Sequence, residues 1–521
     1  MKHVLSIDQG TTGTTVLVLS ADGRVAGRGY REITQHYPEP GWVEHDAEEI
    51  LERTLAAARE AIAASGVTPD VIGITNQRET VVVWHRNTGK PLARAIVWQD
   101  RRTTERCALL EDRAAWLAKR TGLRPDPYFS ATKLEYLLSK PEIARVAKNG
   151  RLAAGTIDSW LIWRLTGGRV HATDPTNASR TLLFDIGDLG WSKDLCDLFS
   201  IPMEILPEVR PSAGDFGKTN TSIFGKSIPI MGVAGDQQAA LFGQGCWNAG
   251  QAKNTYGTGA FLLLNTGKKQ PKAGEGLLAT VACDARGGAA YALEASIFIA
   301  GAAIQWLRDG LGILDNASES EGLARSLASN DGVYFVPALV GLGAPNWEPR
   351  ARGMITGLTR GSSRAHLARA ALEAMAYGTA EMLEVMAKRG KVNFELLRVD
   401  GGASANDWLL QFQADVLGIP VERPDIIETT ALGAAGLAGI AGGVWRDAEE
   451  FIGTRRFTRF TPSASRESAQ ELLDGWQRTV RAALVWARDQ KPASGGRTPA
   501  ARKSKRATSA SKSKVSRRKL K

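Results

Sequence analysis

Short apolar runs alternate with glycine-containing turns at the start of the chain. Val4 to Ile7 predicts a strand, Gly10 to Gly13 a flexible turn, and Thr15 to Leu19 a second strand. Asp22-Gly23 is typical of a hairpin turn and leads directly into Val25. The pattern therefore predicts antiparallel strands joined by tight turns.

The next helix and strand place charged residues at the edge of a sheet. Asp46 and Glu49 have the spacing of a capping box, which predicts a helix beginning at this point. Val71 to Thr75 predicts a buried strand, and Arg78 and Glu79 follow just past its end. Because ligands of open α/β sheets commonly bind there, these two residues are candidate ligand contacts.

A similar pattern returns near the middle of the chain. Lys253 to Thr255 predicts a strand, Tyr256 to Gly259 a Gly/Thr turn, and Ala260 to Leu264 a further strand. The repeat predicts two related lobes. Gly/Thr turns are also common in unrelated proteins, so a chance repeat is the alternative. Later, Ala431 to Val444 is apolar and rich in glycine, but it is shorter than the ~20 residues of a spanning helix. It predicts a closely packed buried helix.

Length and composition indicate an ordinary globular enzyme. The 521 residues are too many for one hydrophobic core, and a chain of this length typically folds into roughly three domains. Apolar residues make up 43% of the chain and charged residues 23%. The four cysteines are far apart and form no CxxC pair, which predicts reduced, buried thiols in a cytoplasmic protein.

The net charge of +11 belongs to one end of the chain. Between Lys491 and Lys521 there are 12 Lys or Arg and no acidic residue, so taking these from +11 leaves −1 for the remainder. This segment is too polar to bury a core and predicts a disordered tail. Two interpretations remain open: a solvated extension without a partner, or a polyanion-binding segment.

The chain lacks the P-loop that many phosphoryl-transfer enzymes use. Two loops, 217–219 and 225–227, match only the second half of GxxxxGK[ST]. The alternative is a turn whose backbone N–H groups and threonine hydroxyls hold phosphates, as Gly10-Thr11-Thr12 and Gly257-Thr258-Gly259 would allow. Asp8 would then bind Mg²⁺ through water. Taken alone, each turn is equally typical of a plain hairpin.

Asp236 is the candidate general base, because a carboxylate can accept a hydroxyl proton during attack on a phosphate. With Arg78, Glu79 and Gln237 it would supply two carboxylates, a guanidinium and an amide to a small polyol. Each has an ordinary alternative: Asp236 as a helix cap, and Arg78 with Glu79 as a surface ion pair. The pattern predicts a kinase acting on a small alcohol.

Together these stretches resemble the FGGY carbohydrate kinase family, and within it the glycerol kinases. The resemblance runs from about Val4 to about Trp486 and includes segments such as 73–79, 173–181, 235–243, 252–259 and 301–309. The combination of Arg78-Glu79, Tyr128 and Asp236-Gln237 resembles glycerol kinases more than the sugar-specific members. Gly13 and Thr15 depart from the pattern, since many members carry a serine and an arginine there.

The resemblance implies a role for each candidate residue. Asp236 would be the base and, with Arg78, Glu79, Tyr128 and Gln237, would bind glycerol. Trp98 and Phe261 would pack against its carbon atoms. The nucleotide would be held by Thr11 and Thr12 from the first lobe and by a set in the second lobe: Thr258, Gly301, Gln305, Gly402 and Asn406. Asp8 would lie near Mg²⁺.

The resemblance also implies an α/β fold of two actin-like (ribonuclease H-like) ATPase domains flanking a catalytic cleft. The expected divisions are 1–247, 248–488 and a tail, 489–521. The expected reaction is ATP-dependent phosphorylation of glycerol to sn-glycerol 3-phosphate, which would feed glycerol catabolism and glycerolipid synthesis. A cytoplasmic homodimer or homotetramer is expected. Two alternatives remain: a kinase for another polyol or a ketose, and a silent nucleotide-binding module.

Overall fold

The computed structural model describes residues 1–489. The predicted basic tail lies outside the described residues, except that Asp489 ends the last helix instead of beginning the tail. Short 3-10 helices cover Glu111–Arg113, Met203–Ile205 and Gly402–Ala405.

The strands of the first half of the chain are β1 (His3–Gln9), β2 (Gly13–Ser20), β3 (Val25–Glu32), β4 (Glu44–His45), β5 (Val71–Asn76), β6 (Val81–His85), β7 (Ala95–Ile96), β8 (Leu152–Thr156), β9 (Ala172–Thr173), β10 (Phe184–Asp185), β11 (Gly190–Trp191), β12 (Glu208–Val209) and β13 (Ile230–Gly235). Its helices are α1 (Ala47–Ser65), α2 (Thr104–Ala108), α3 (Ala114–Thr121), α4 (Ser130–Leu138), α5 (Pro141–Lys148), α6 (Ile157–Leu165), α7 (Pro175–Ala178), α8 (Lys193–Leu198), α9 (Thr221–Phe224) and α10 (Asp236–Gly243).

The strands of the second half are β14 (Gln251–Tyr256), β15 (Ala260–Gly267), β16 (Leu278–Cys283), β17 (Ala289–Ile297), β18 (Tyr334–Val336), β19 (Met354–Thr356), β20 (Leu396–Asp400), β21 (Val421–Pro424) and β22 (Phe457–Phe460). Its helices are α11 (Gly301–Asp309), α12 (Glu319–Arg325), α13 (Arg364–Gly390), α14 (Asp407–Leu417), α15 (Thr429–Ala441), α16 (Ala448–Gly453) and α17 (Arg466–Asp489).

The two large sheets repeat one topology. In the first, the order β13-β5-β1-β2-β3 joins an antiparallel run, β1 to β3, to the parallel strands β5 and β13. In the second, β14, β15 and β17 are antiparallel, whereas β20 and β21 run parallel to β14. We call the parts built on these sheets the first and second lobes. The predicted two-domain α/β fold and the repeat of the opening hairpin are confirmed.

Helix α1 begins where the sequence predicts, but half of the predicted capping box is wrong. The Asp46 side chain accepts hydrogen bonds from the backbone N–H groups of Glu48 and Glu49, which satisfies the first turn. The Glu49 carboxylate accepts instead from the backbone and hydroxyl of Thr34, at 3.3 and 3.0 Å. Thr34 follows β3, so Glu49 ties the helix to the sheet.

Helix α15 is the predicted buried glycine-rich helix. It belongs to the second half of the sequence, but it packs against the first lobe. It packs on β1, β5 and β13 of the first lobe and on α10. A Cβ atom at Gly433 would overlap the Ala239 carbonyl group of α10. Because α15 packs against the first lobe, one division of the chain at 247/248 does not separate the two hydrophobic cores. The domain boundary at 247/248 therefore stays a prediction.

Replacing Gly433 with alanine is expected to destabilise the protein by about 3 kcal/mol, because the backbone of α10 must move to admit the methyl group. Gly322→Ala is the matched control, since Gly322 also lies in a helix but faces open space. It should stabilise the protein by about 0.5–1 kcal/mol. Urea unfolding midpoints compare the two, and equal midpoints for both variants would contradict the close packing of α15.

All four cysteines lie inside the folded protein. Cys107, Cys196, Cys246 and Cys283 are all free and buried, as predicted. Between residues 1 and 489, the helices are each too short or too polar to span a membrane.

Candidate active site

The site begins at a strained turn after β5. Arg78 and Glu79 are almost fully buried, and Glu79 has a φ of 62°, which is uncommon for a residue with a side chain. Glu79 O accepts a hydrogen bond from Ser130 Oγ at 3.0 Å, which ties this turn to α4. The two residues are thus an internal feature of the cleft, and the alternative of a surface ion pair is wrong.

Arg78 joins the two lobes. Its Nη1 and Nη2 atoms donate to the two oxygens of Glu294 on β17 of the second lobe, at 2.6 and 3.1 Å. Its Nε atom lies 3.1 Å from Asp236 Oδ1, and Nη1 also donates to Gln238 Oε1 at 3.2 Å. The guanidinium is therefore held in one orientation by groups from both lobes, with Asp236 beside it.

Arg180 completes a buried charge cluster that sequence analysis did not identify. Its Nε donates to Glu79 Oε1 at 2.6 Å, and its Nη2 donates to Glu294 Oε1 at 3.1 Å. Burial alone would raise the pKa of Glu294, but Arg180 and Arg78 hold it at about 2. Burial also raises the pKa of Glu79, and the same two arginines oppose that shift. We call Arg78, Glu79, Arg180 and Glu294 the charge cluster.

Asp236 is the first residue of α10, directly after β13. Its side chain is about one-third exposed (32%), whereas the charge cluster behind it is buried. Its Oδ1 atom accepts from the Gln237 backbone N–H at 2.7 Å. The positive end of the helix dipole and the Arg78 guanidinium both lie beside this carboxylate. Asp236 thus presents a partly exposed carboxylate next to the charge cluster.

Asp8 lies on β1, next to Thr75 of β5. Burial, and then the negative charge of Asp236, raise the pKa of Asp8 to about 7. Two carboxylates that repel each other in this way are suited to a divalent cation. The described residues form no cluster of three or more His, Cys, Asp or Glu that could hold a metal by themselves. A Mg²⁺ ion here would need water and phosphate oxygens as further ligands, as Mg²⁺ commonly does.

An aromatic wall stands beside these charges. The Trp98 and Tyr128 rings meet edge to face with centroids 5.5 Å apart. Trp98 Nε1 donates to Thr11 Oγ1 at 2.9 Å, which connects the wall to the first Gly/Thr turn. Trp98, Tyr128 and Phe261 all line one interlobe cavity of about 870 Å³. The three aromatic residues that the resemblance assigns to the substrate therefore line the same cavity.

The loop that carries Tyr128 is fixed by a buried lysine. Lys133 Nζ donates to the carbonyl oxygens of Pro127 and Tyr128 at 2.6 and 2.7 Å. Burial lowers the pKa of Lys133 to about 7. Because its hydrogen bonds are to backbone atoms, Lys133 sets the path of the loop, and Tyr128 is positioned through it.

The second-lobe candidates converge at the ends of β14 and β20. Gly257 N donates to Gly259 O at 2.8 Å, just as Gly10 N donates to Gly13 O at 2.9 Å in the first lobe. Gly301 N, which opens α11, donates to Gly257 O at 3.0 Å. A Cβ atom at Gly301 would lie 2.7 Å from that carbonyl oxygen, so the close approach requires glycine.

The remaining candidates differ in how free their side chains are. Thr12, Thr258 and Gln305 are exposed, and a Cβ atom at Gly402 would meet open space. The Asn406 side chain caps α14, because its amide oxygen accepts a hydrogen bond from Leu409 N at 2.9 Å. Gln237 accepts a hydrogen bond from the buried Lys253 of β14. The amide oxygens of Asn406 and Gln237 are therefore already engaged.

Sequence analysis missed Glu294, Arg180 and Lys253. Glu294 is a single acidic residue within the apolar strand β17, and that is the signal that could have identified it. Lys253 is likewise a charged residue that is fully buried within a strand, and burial lowers its pKa. A charge inside a buried strand needs a partner, so each predicts a polar cluster at that depth.

Comparisons with known proteins agree with this arrangement. Residues 3–243 match the FGGY family of carbohydrate kinases, N-terminal domain, and residues 252–442 match its C-terminal domain. "Glycerol kinase 2" of Thermotoga maritima is 52% identical over 493 residues, covering 93% of this chain and 99% of that protein. "Glycerol kinase" of Geobacter sp. is 53% identical with the same coverage of both chains.

Solved structures share the whole fold. A Plasmodium falciparum glycerol kinase with ADP has a TM-score of 0.89 at 36% identity, covering 93% of this chain and 98% of its own. A gluconate kinase from Lactobacillus acidophilus has a TM-score of 0.82 at 20% identity, covering 94% and 99%, which supports the fold alone. The two lobes, the interlobe charge cluster and these matches lead to one assignment: the chain belongs to the FGGY family of carbohydrate kinases.

Proposed function

We propose that the protein phosphorylates glycerol with ATP, giving sn-glycerol 3-phosphate and ADP. The observation that carries the proposal is the pairing of Asp236 with Arg78 at 3.1 Å, beside a wall of Trp98 and Tyr128. Hydrogen-bonding charges suit the hydroxyl groups of a small polyol, and aromatic faces suit its CH₂ groups. Relatives about half identical over nearly the full chain are named glycerol kinases, which supports the same substrate.

The chemical step is assigned to Asp236. The primary hydroxyl oxygen of glycerol attacks the γ-phosphorus, and the bond from that phosphorus to the bridging oxygen breaks. ADP leaves with the electron pair, and the Asp236 carboxylate accepts the hydroxyl proton. The partial exposure of Asp236 leaves its carboxylate accessible from the cleft, as a general base requires.

The substrate contacts are assigned to side chains that the structure already holds in place. Arg78 and Glu79 would bind hydroxyl groups from the floor of the cleft, because the charge cluster fixes both side chains. Tyr128 and Gln237 would add polar contacts at either side. Trp98 and Phe261 would exclude water from the carbon atoms. Preorganisation of this kind reduces the entropy lost when a small ligand binds.

The nucleotide and its metal are assigned to the other end of the cleft. Thr11 and Thr12 would hold phosphates from the first lobe, and Thr258 from the second. Gly301, Gln305, Gly402 and Asn406 would contact the remainder of the nucleotide. Asp8, with Asp236 nearby, fits Mg²⁺ because its carboxylate charge is poorly compensated in the protein alone. When bound, Mg²⁺ would neutralise phosphate charge.

The direct test is ADP release by the full chain with Mg-ATP and one of three alcohols. Glycerol is expected to support rapid release, whereas erythritol and xylulose should support little, because their additional hydroxyl groups would meet an apolar cavity lining without hydrogen-bond partners. A preference for xylulose would move the assignment to a ketose kinase. Nucleotide binding without release for any polyol would instead support a silent nucleotide-binding module.

A further inference from the structure

The interlobe cavity is much larger than the proposed substrate. It measures about 870 Å³, and Trp98, Tyr128 and Phe261 are three of its 25 lining residues. Pockets of about 300–1,000 Å³ typically hold drug-sized ligands, whereas glycerol has six non-hydrogen atoms. Most of the cavity therefore remains unfilled when glycerol lies beside these aromatic residues.

The proposed nucleotide contacts cover only a small part of the cavity lining. Thr258, which would hold phosphate, lines the cavity, whereas Gly301, Gln305, Gly402 and Asn406 are not part of the lining. The lining also includes Phe298, Val340 and Trp347, which we call the outer subsite.

The outer subsite is apolar and open to solvent. Phe298, Val340 and Trp347 are exposed by 43%, 62% and 42%, and the Phe298 and Trp347 rings meet edge to face at 6.4 Å. Large apolar side chains exposed together in this way commonly mark a binding site.

The charged residues of the lining are already paired. Arg101 pairs with Asp126 at 2.9 Å, and Arg124 lies 3.8 Å from the same carboxylate and over the Trp347 ring at 5.1 Å. Glu275 pairs with Arg389, and Glu294 with Arg78. Because each of these charges has a partner, the cavity favours an apolar ligand group over an ionic one.

We propose that the outer subsite binds an apolar substituent on glycerol, so that short 1-O-alkylglycerols compete with glycerol. The inference rests on the proposed glycerol site, since the glycerol part of such a ligand would keep the contacts at the charge cluster. An alkyl chain on one terminal oxygen would leave the other two hydroxyl groups free to be bound. The chain would then pass the aromatic wall and cover Phe298 and Trp347.

The test measures how 1-O-methyl-, 1-O-butyl- and 1-O-hexylglycerol inhibit formation of labelled glycerol phosphate from labelled glycerol by the full chain. Complete burial of a CH₂ group tightens binding about fourfold, so the hexyl ether should inhibit at least about tenfold more tightly than the methyl ether. Inhibition constants that stay constant or rise with chain length would overturn the inference.

A matched pair of variants locates the effect. Val340→Asp introduces a charge into the outer subsite, and Ile427→Asp introduces one at a residue of similar exposure (64%) outside the cavity lining. Val340→Asp should reduce the difference between the hexyl and methyl ethers to about twofold or less, with the KM for glycerol unchanged. Ile427→Asp should preserve the difference, and an undiminished difference in Val340→Asp would reject the outer subsite.

Failure of this inference differs from failure of the proposed function. If labelled glycerol is not phosphorylated at all, the proposed function is wrong, and the subsite proposal is rejected with it. If glycerol is phosphorylated normally and chain length has no effect, only the outer subsite is rejected.

Discussion

Replacing Asp236 with asparagine is expected to lower kcat for glycerol phosphorylation by about 10²–10⁴-fold, the range over which general bases typically act. Asparagine has nearly the same shape, and its amide oxygen can still accept from Gln237 N and face Arg78. The variant should therefore fold normally and lose only the proton acceptor. Steady-state ADP release at saturating glycerol measures the effect.

Two controls separate loss of the base from general damage. Calorimetric titration with ADP should give a dissociation constant within about threefold of the unmodified protein, because Asp236 is not assigned to the nucleotide. Asp194→Asn also removes a carboxylate from the first turn of a helix, but Asp194 pairs with Arg120, whereas Asp236 lies against Arg78 of the charge cluster. It should retain kcat. A near-normal kcat in Asp236→Asn would mean that another group accepts the proton.

Replacing Glu294 with glutamine is expected to raise the KM for glycerol by at least about tenfold while leaving the KM for ATP within about twofold. The change removes the negative charge that holds Arg78 and Arg180, and two buried arginines are then left with only Glu79 and Asp236 as nearby counter-charges. Loss of a buried ion-pair partner typically costs about 3–5 kcal/mol in folding stability. The glycerol site should therefore lose its shape more than the nucleotide site does.

Glu373→Gln is the matched control for that experiment. Glu373 is also fully buried in the second lobe and pairs with Arg369 at 2.7 Å, but it is not part of the cavity lining. Both variants should unfold at lower urea concentration, whereas the KM for glycerol should change only in Glu294→Gln. Equal changes in both variants would make Glu294 a general stabilising residue with no particular connection to the substrate.

The pH dependence of stability follows from the same cluster. The pKa of Glu294 in the folded protein is about 2, below its usual value of 4.5. A carboxyl group with a lowered folded pKa contributes stability above its unfolded pKa and loses that contribution as pH falls through the folded value. Glu294 thus contributes stability throughout the neutral range.

The sequence alone determined the local elements and predicted most of the candidate site residues. The opening hairpin, the start of α1, the strand before Arg78 and the buried helix α15 each follow from patterns within a few residues. Gly/Thr turns and the charged residues after strand ends were equally visible, because close phosphate approach and ligand contact require particular residue types at those points. Their roles stay predictions until the variants are measured.

Only the tertiary structure decided which of these residues meet. Glu294 joins Arg78 across a separation of 216 residues, and α15 joins the first-lobe sheet from the second half of the chain. Glu49 likewise binds Thr34 where a local capping box was expected. Local sequence patterns indicate which residues are buried and which backbone conformation they adopt, whereas these pairings depend on how the lobes pack. A buried charge in an apolar strand requires a partner, but only the packed fold determines which residue supplies it.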